Sequence, residues 1–116
     1  MAIGIKQYQT TILNGTALSA AISLGADVLH GIQMPAGWDA ASMSFQASID
    51  GGLTFAEMIA AAGTAVSCTV AGGQYIALDP TLWRAVNCLK IRSGTSASPV
   101  NQTADRLLTL VVKPVA

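Results

Sequence analysis

Met43-Ser-Phe-Gln-Ala-Ser-Ile49 alternates apolar and small polar residues and runs directly into Asp50-Gly51-Gly52. Successive side chains of a strand point to opposite faces, so this pattern puts Met43, Phe45, Ala47 and Ile49 on one face and Ser44, Gln46 and Ser48 on the other. Asp-Gly-Gly supplies the positive φ angles of a tight reversal. The segment therefore predicts an antiparallel sheet with one core face and one wet face, as in a β-sandwich.

Turn signals recur along the rest of the chain at the spacing of a sandwich or barrel. A strand is expected from Ile3 to Leu13, ended by Asn14-Gly15, and Leu18, Ala20, Ile22 and Leu24 then alternate up to Gly25. Val28 to Met34 reads as a strand stopped by Pro35-Ala-Gly37, and Trp38-Asp39 as part of the loop that feeds the Met43 strand. Leu53 to Ile59 is expected to return from the Asp50 turn. Thr54-Phe-Ala-Glu57 has capping-box spacing, so one or two helical turns over Met58–Ala62 are the alternative; a hairpin needs a partner strand, which favours the strand. Further strands are expected over Thr64–Val70, Gln74–Leu78, Leu89–Arg92 and Arg106–Val112. Between them lie a short helical turn at Thr81–Ala85 and a polar loop at Thr95–Asp105. The expectation is one all-β domain over residues 1–116: an antiparallel two-sheet β-sandwich, jelly-roll-like, of eight or nine short strands.

Charge narrows the function classes. Only 10% of the 116 residues are charged, and six basic and six acidic side chains cancel; soluble domains average about 25%. No field favours nucleic acid or an anionic membrane. The longest apolar run, Met58 to Val66, contains Gly63 and is too short to cross a bilayer. The first ten residues lack the basic and apolar regions of a secretory signal, so the expectation is a start in the cytoplasm, or export by a route that leaves no such signal. A weakly charged surface suits a protein packed against copies of itself or a large partner, and equally a stable domain that simply tolerates low charge.

Candidate chemistry is sparse. His30, in Val28-Leu-His-Gly-Ile32, reads as a hydrogen-bonded packing residue rather than a base. Asp27, Asp39, Asp50, Glu57, Asp79 and Asp105 stand singly and mostly beside turns; Asp50 reads as a hairpin residue and Asp79 as a pre-proline turn former. Asp105 beside Arg106 reads as a local loop anchor. Cys68 lies on an apolar face and Cys88 with Lys90 and Arg92, which argues against a disulfide without excluding one. One His and two Cys give no zinc spacing. No catalytic, cofactor or metal residue is expected, and the chain is read as non-enzymatic. The candidate binding residues are Trp38, flanked by Gly37 and Asp39 in a loop, and Trp83, which could join it, as rings on which a sugar could stack. Against this stands the weightier reading that each Trp caps an open end of the core.

Trp38 to Phe55, Ile76-Ala-Leu-Asp-Pro80, Leu89-Lys-Ile-Arg-Ser-Gly-Thr95 and Ser98-Pro-Val-Asn-Gln-Thr-Ala-Asp-Arg106 resemble small proteins encoded in the structural regions of tailed bacteriophages and prophages. The resemblance spans most of the chain after Leu24 and rests on turn-and-strand phrases. It implies a virion component: a decoration or cement protein on the major capsid protein, or a head-to-tail or fibre-associated module. It brings no catalytic or ligand residues. The expected partners are other virion proteins and further copies of the chain, with a trimer at a lattice symmetry point as one form, and the expected location is the virion. The sparsely charged segment Ile3–Leu13, lying along another subunit, and Thr95–Asp105, making polar contacts, are the expected contact elements. A discoidin-like module binding host-surface glycans near Trp38 or Trp83 is the alternative.

Overall fold

A computed structural model describes residues 4–114. Nine strands follow in chain order: β1 Lys6–Ile12, β2 Ile22–Ser23, β3 Asp27–Gln33, β4 Met43–Ala47, β5 Ala56–Glu57, β6 Ser67–Cys68, β7 Tyr75–Ala77, β8 Cys88–Ser93 and β9 Arg106–Pro114. They form two antiparallel sheets. One has the order β1-β9-β3-β7; the other has the order β2-β8-β4-β5, with β6 also paired to β4. The ladders are nested, with β1 on β9, β2 on β8, β3 on β7 and β4 on β5. A long antiparallel ribbon rolled up in this way, each half alternating between sheets, is a jelly roll. The expected start of the first strand at Ile3 lies outside the described residues.

Period-two burial drives the stacking. Ile12 of β1, Leu29 and Ile32 of β3, and Leu108, Leu110 and Val112 of β9 face Met43 and Phe45 of β4 and Leu89 and Ile91 of β8, all fully buried. A buried side chain of this size contributes about 1.5–3 kcal/mol relative to exposure. Between Leu29 and Gly31 the register of β3 against β9 slips, which leaves His30 in a bulge with Nδ1 2.9 Å from the Val28 carbonyl. The two tryptophans close the core. Trp83 follows a single 3-10 turn at Pro80–Leu82, nucleated by Asp79 accepting from the Thr81 amide, and meets Phe45 edge-to-face at a centroid distance of 4.8 Å.

Several expectations are corrected by tertiary contacts. Ile49, assigned to the core face, is 100% exposed, whereas Ser48, assigned to the wet face, is 3% exposed. The strand ends at Ala47, and Ser48 turns inward as a hydrogen-bond anchor, which breaks the parity. Its hydroxyl accepts from the Gly52 amide at 2.9 Å and donates to Asp50 Oδ1 at 2.7 Å. Asp50 in turn accepts from the Thr54 amide at 2.9 Å. Gly51 and Gly52 do take positive φ, 76° and 97°. They sit inside a loop over residues 48–55, however, and not a two-residue hairpin. The return is only the short β5, so the strand-like reading of Glu57 stands and the helical one does not. The hairpin continues outward past Met58 and Val66 to a bridge between Ile59 and Ala65. Leu18–Leu24 also shrinks, to a bridge from Leu18 to Arg92 and the two residues of β2.

Candidate functional site

Trp38 and Trp83 are 8% and 1% exposed. Trp38 Nε1 donates to the Ala41 carbonyl at 3.1 Å, which fixes the ring at one end of the sandwich. Neither ring offers a face to solvent, so the pair makes no stacking platform for a sugar; each caps the core. Trp38 sits in the loop before β4, whereas Trp83 packs on Phe45 in the middle of that strand, so the two rings serve different parts of the core.

Every Asp and Glu side chain holds a piece of backbone or a cation. Asp27 accepts from Tyr8 Oη at 2.8 Å and lies 3.5 Å from Lys6 Nζ. Asp39 accepts from the Thr103 amide at 2.7 Å and from Arg106 Nη2 at 3.2 Å. Asp79 accepts from the Thr81 amide and hydroxyl, and Asp105 from the Asn14 amide. Hydrogen bonds from Thr103, Thr54 and Thr81 hold Asp39, Asp50 and Asp79, respectively, below the ordinary carboxylate range. Such groups are poor general bases near neutrality, because their protons bind too weakly. Among the described residues no three of His, Cys, Asp and Glu converge as a metal would require. Cys68 and Cys88 are both free thiols, and burial raises the Cys68 pKa, which disfavours a nucleophilic thiolate.

Asp105 and Arg106 do not pair as neighbours. Arg106 crosses to Asp39, and Gln102, 1% exposed, accepts from the Asp39 amide at 2.8 Å and donates to Ser93 Oγ at 2.7 Å. The Gln102 backbone also bonds Gly15 and Thr16. The loop over 95–105 is thereby sutured to two other loops, and the contact element read from its polarity is partly a structural clamp.

The open surfaces are elsewhere. On the outside of the β1-β9-β3-β7 sheet, Leu107, Thr109 and Val111 of β9 lie opposite Thr11, Gln9 and Gln7 of β1. Tyr75 lies flat across this face: a Cβ on Gly31 would come 2.1 Å from its hydroxyl. Leu107 is 47% exposed and Tyr75 is 52% exposed, so the face is apolar and polar in alternation and nearly uncharged. The second surface is the tip of the loop over 48–55, where Ile49 and Leu53 project from a backbone held by the Ser48 and Asp50 hydrogen bonds. The period-two pattern hid this one, because it sent Ile49 inward. The third is the flank of β1, an edge strand, beside which runs a groove of about 640 Å³. No protein-family model, curated protein or solved structure matches this chain.

Proposed function

We propose that this chain is a non-enzymatic structural protein of a tailed-bacteriophage particle, a decoration or cement protein that binds the major capsid protein in many copies and associates with itself. The carrying observation is the combination of a jelly roll, a nearly uncharged outer sheet face and side-chain carboxylates that are all engaged in bonds within the chain. Jelly rolls recur in viral capsid domains, an analogy of fold that supports the assignment alongside the resemblance of the turn-and-strand phrases. A rigid, neutral body with apolar points at Ile49, Leu53 and Leu107 docks by shape and apolar contact, and repetition over a particle multiplies weak single contacts into firm attachment.

Density-gradient sedimentation of particles from the cell that encodes the chain tests the reading. The protein is expected in the full-particle fraction and on tailless heads. Recovery only with tails or fibres moves it to the head-to-tail or fibre position, and recovery only in the soluble fraction removes the virion assignment.

A further inference from the structure

The free edge of β1 has the attributes of a self-pairing strand. β1 lies at the end of its sheet and pairs residue for residue with β9 over all seven positions, Lys6↔Val112 to Ile12↔Arg106, without a bulge. Every second residue of such a strand turns its N–H and C=O away from the sheet. No backbone hydrogen bond outside that ladder involves residues 6–12 among the described residues. Exposed edges are ordinarily blunted by proline, a bulge, or a charge in mid-strand. Gln7-Tyr8-Gln9-Thr10-Thr11-Ile12 has none of these, and its one charge, Lys6, stands at the end beside its own Asp27. Among the described residues no strand pairs with this flank, and the adjacent groove is lined by Gln9, Thr10 and Thr11 together with Leu18, Ser19 and Ala20, Thr10 Oγ1 donating to the Ala20 carbonyl at 2.9 Å.

We infer that β1 pairs antiparallel with β1 of a second copy about a two-fold axis through Gln9, joining two four-stranded sheets into one of eight. This deepens the self-association proposed above and rests on that part of the reading, while standing apart from the virion assignment. The occupant is set by self-complementarity. An axis perpendicular to the sheet must keep core-facing residues opposite core-facing residues, so the pairing centres on a residue, and Gln9 is the midpoint of Lys6–Ile12. Gln9 then meets Gln9, Gln7 meets Thr11 and Tyr8 meets Thr10, all uncharged pairs that can hydrogen-bond or pack across the strands. The two Lys6 side chains fall at opposite ends, each against Ile12. No like charges face each other along the paired strands.

Sedimentation equilibrium on the isolated full chain, with two substitutions at exposed Gln9, is the test. The wild-type protein is expected to run at twice its chain mass at micromolar to tens of micromolar concentration. Gln9→Lys puts two ammonium groups together at the axis and is expected to weaken the dimer at least tenfold, with an unchanged far-ultraviolet circular-dichroism spectrum. Gln9→Cys is expected to form a cross-linked dimer on oxidation, since directly opposed Cα atoms in such a pair lie within disulfide reach. Thr11→Cys, two residues off the axis, is expected to cross-link no more than the native thiols do. A monomer at 100 μM overturns the inference. So does a dimer that survives Gln9→Lys, or one abolished instead by Leu107→Lys on the outer sheet face. Particle sedimentation reads the virion assignment separately, so a failed dimer and a failed particle contact are distinguishable.

Discussion

On the outer face of the β2-β8-β4-β5 sheet, Arg92 reaches across β4 to Glu57, and Phe55 lies over Lys90 with the ammonium 4.5 Å from the ring centre. On the outer face of the other sheet, Leu107, Thr109 and Val111 stand open beside Gln7 and Gln9. Both faces come from the same alternating strands, yet one is roofed by its own chain and the other is bare. The roofed face carries the Arg92–Glu57 ion pair. Arg92 Nε donates to Ser44 Oγ at 3.3 Å, and the Ser44 hydroxyl passes the network on to the Gly94 carbonyl at 2.8 Å. Buried charge demands such internal partners, whereas a face of Thr, Gln and isolated aliphatics is content with water or with another protein. The charges thus mark where the chain turns inward on itself, and their scarcity marks where it is available to others.

Breaking the roofed face should have the largest effect. Arg92→Ala leaves Glu57, one of whose carboxylate oxygens is buried without a hydrogen bond, facing a vacated site. Removing one partner of a buried pair costs about 3–5 kcal/mol, and urea unfolding should show a loss of that size. The double change Arg92→Met with Glu57→Leu should recover most of it, because the desolvation cost of both charges disappears together. If the single variant unfolds at the wild-type urea concentration, the contrast between the faces collapses.

Phe55→Ala should cost less, about 0.5–1 kcal/mol for an exposed cation–π contact plus some packing, read in the same titration. Acid is a gentler lever. Asp39, Asp50 and Asp79 are held below their unfolded-state pKa, so their stabilisation is full above about pH 4 and fades as the pH drops through the lower folded values. The thermal midpoint should therefore be flat from neutrality to about pH 5 and should decline below pH 4. Thr54→Val should blunt the decline by removing the hydroxyl bond to Asp50. On the bare face, Leu107→Thr should change stability by no more than about 0.5 kcal/mol. The same substitution should weaken particle association if that face is the docking surface, a separation of folding from binding that the roofed face cannot give.

How much of this was legible beforehand varies by element. β3, β8 and β9 were read within one or two residues, because each is flanked by turn chemistry and each buries one or both faces against a neighbour whose identity hardly matters. The wet face of β4 was not, because Ser44 is buried between Arg92, 48 positions away, and Ser67 of β6 on its other side. Asp105 beside Arg106 looked like a pair, and the cation went instead to Asp39, 67 residues distant, with Gln102 between them. Gln102 itself had no signal: a glutamine in a polar loop gives no hint that it is 1% exposed and joins three segments. Trp38 and Trp83 were legible as rings and not as positions, since the same residue beside a turn serves equally as a core cap or an exposed platform.

Alternation of apolar and polar residues, with glycines at the reversals, was enough to make this polypeptide two antiparallel sheets, because pleating is a local property and each strand carries its own instruction for which side goes inward. Which outer face would be covered, where each carboxylate would find its donor, and that β1 would be left with an open flank were decided only when distant segments met. Those outcomes depend on the sum of desolvation and hydrogen bonding over residues far apart in the chain, and no window along the sequence contains both partners.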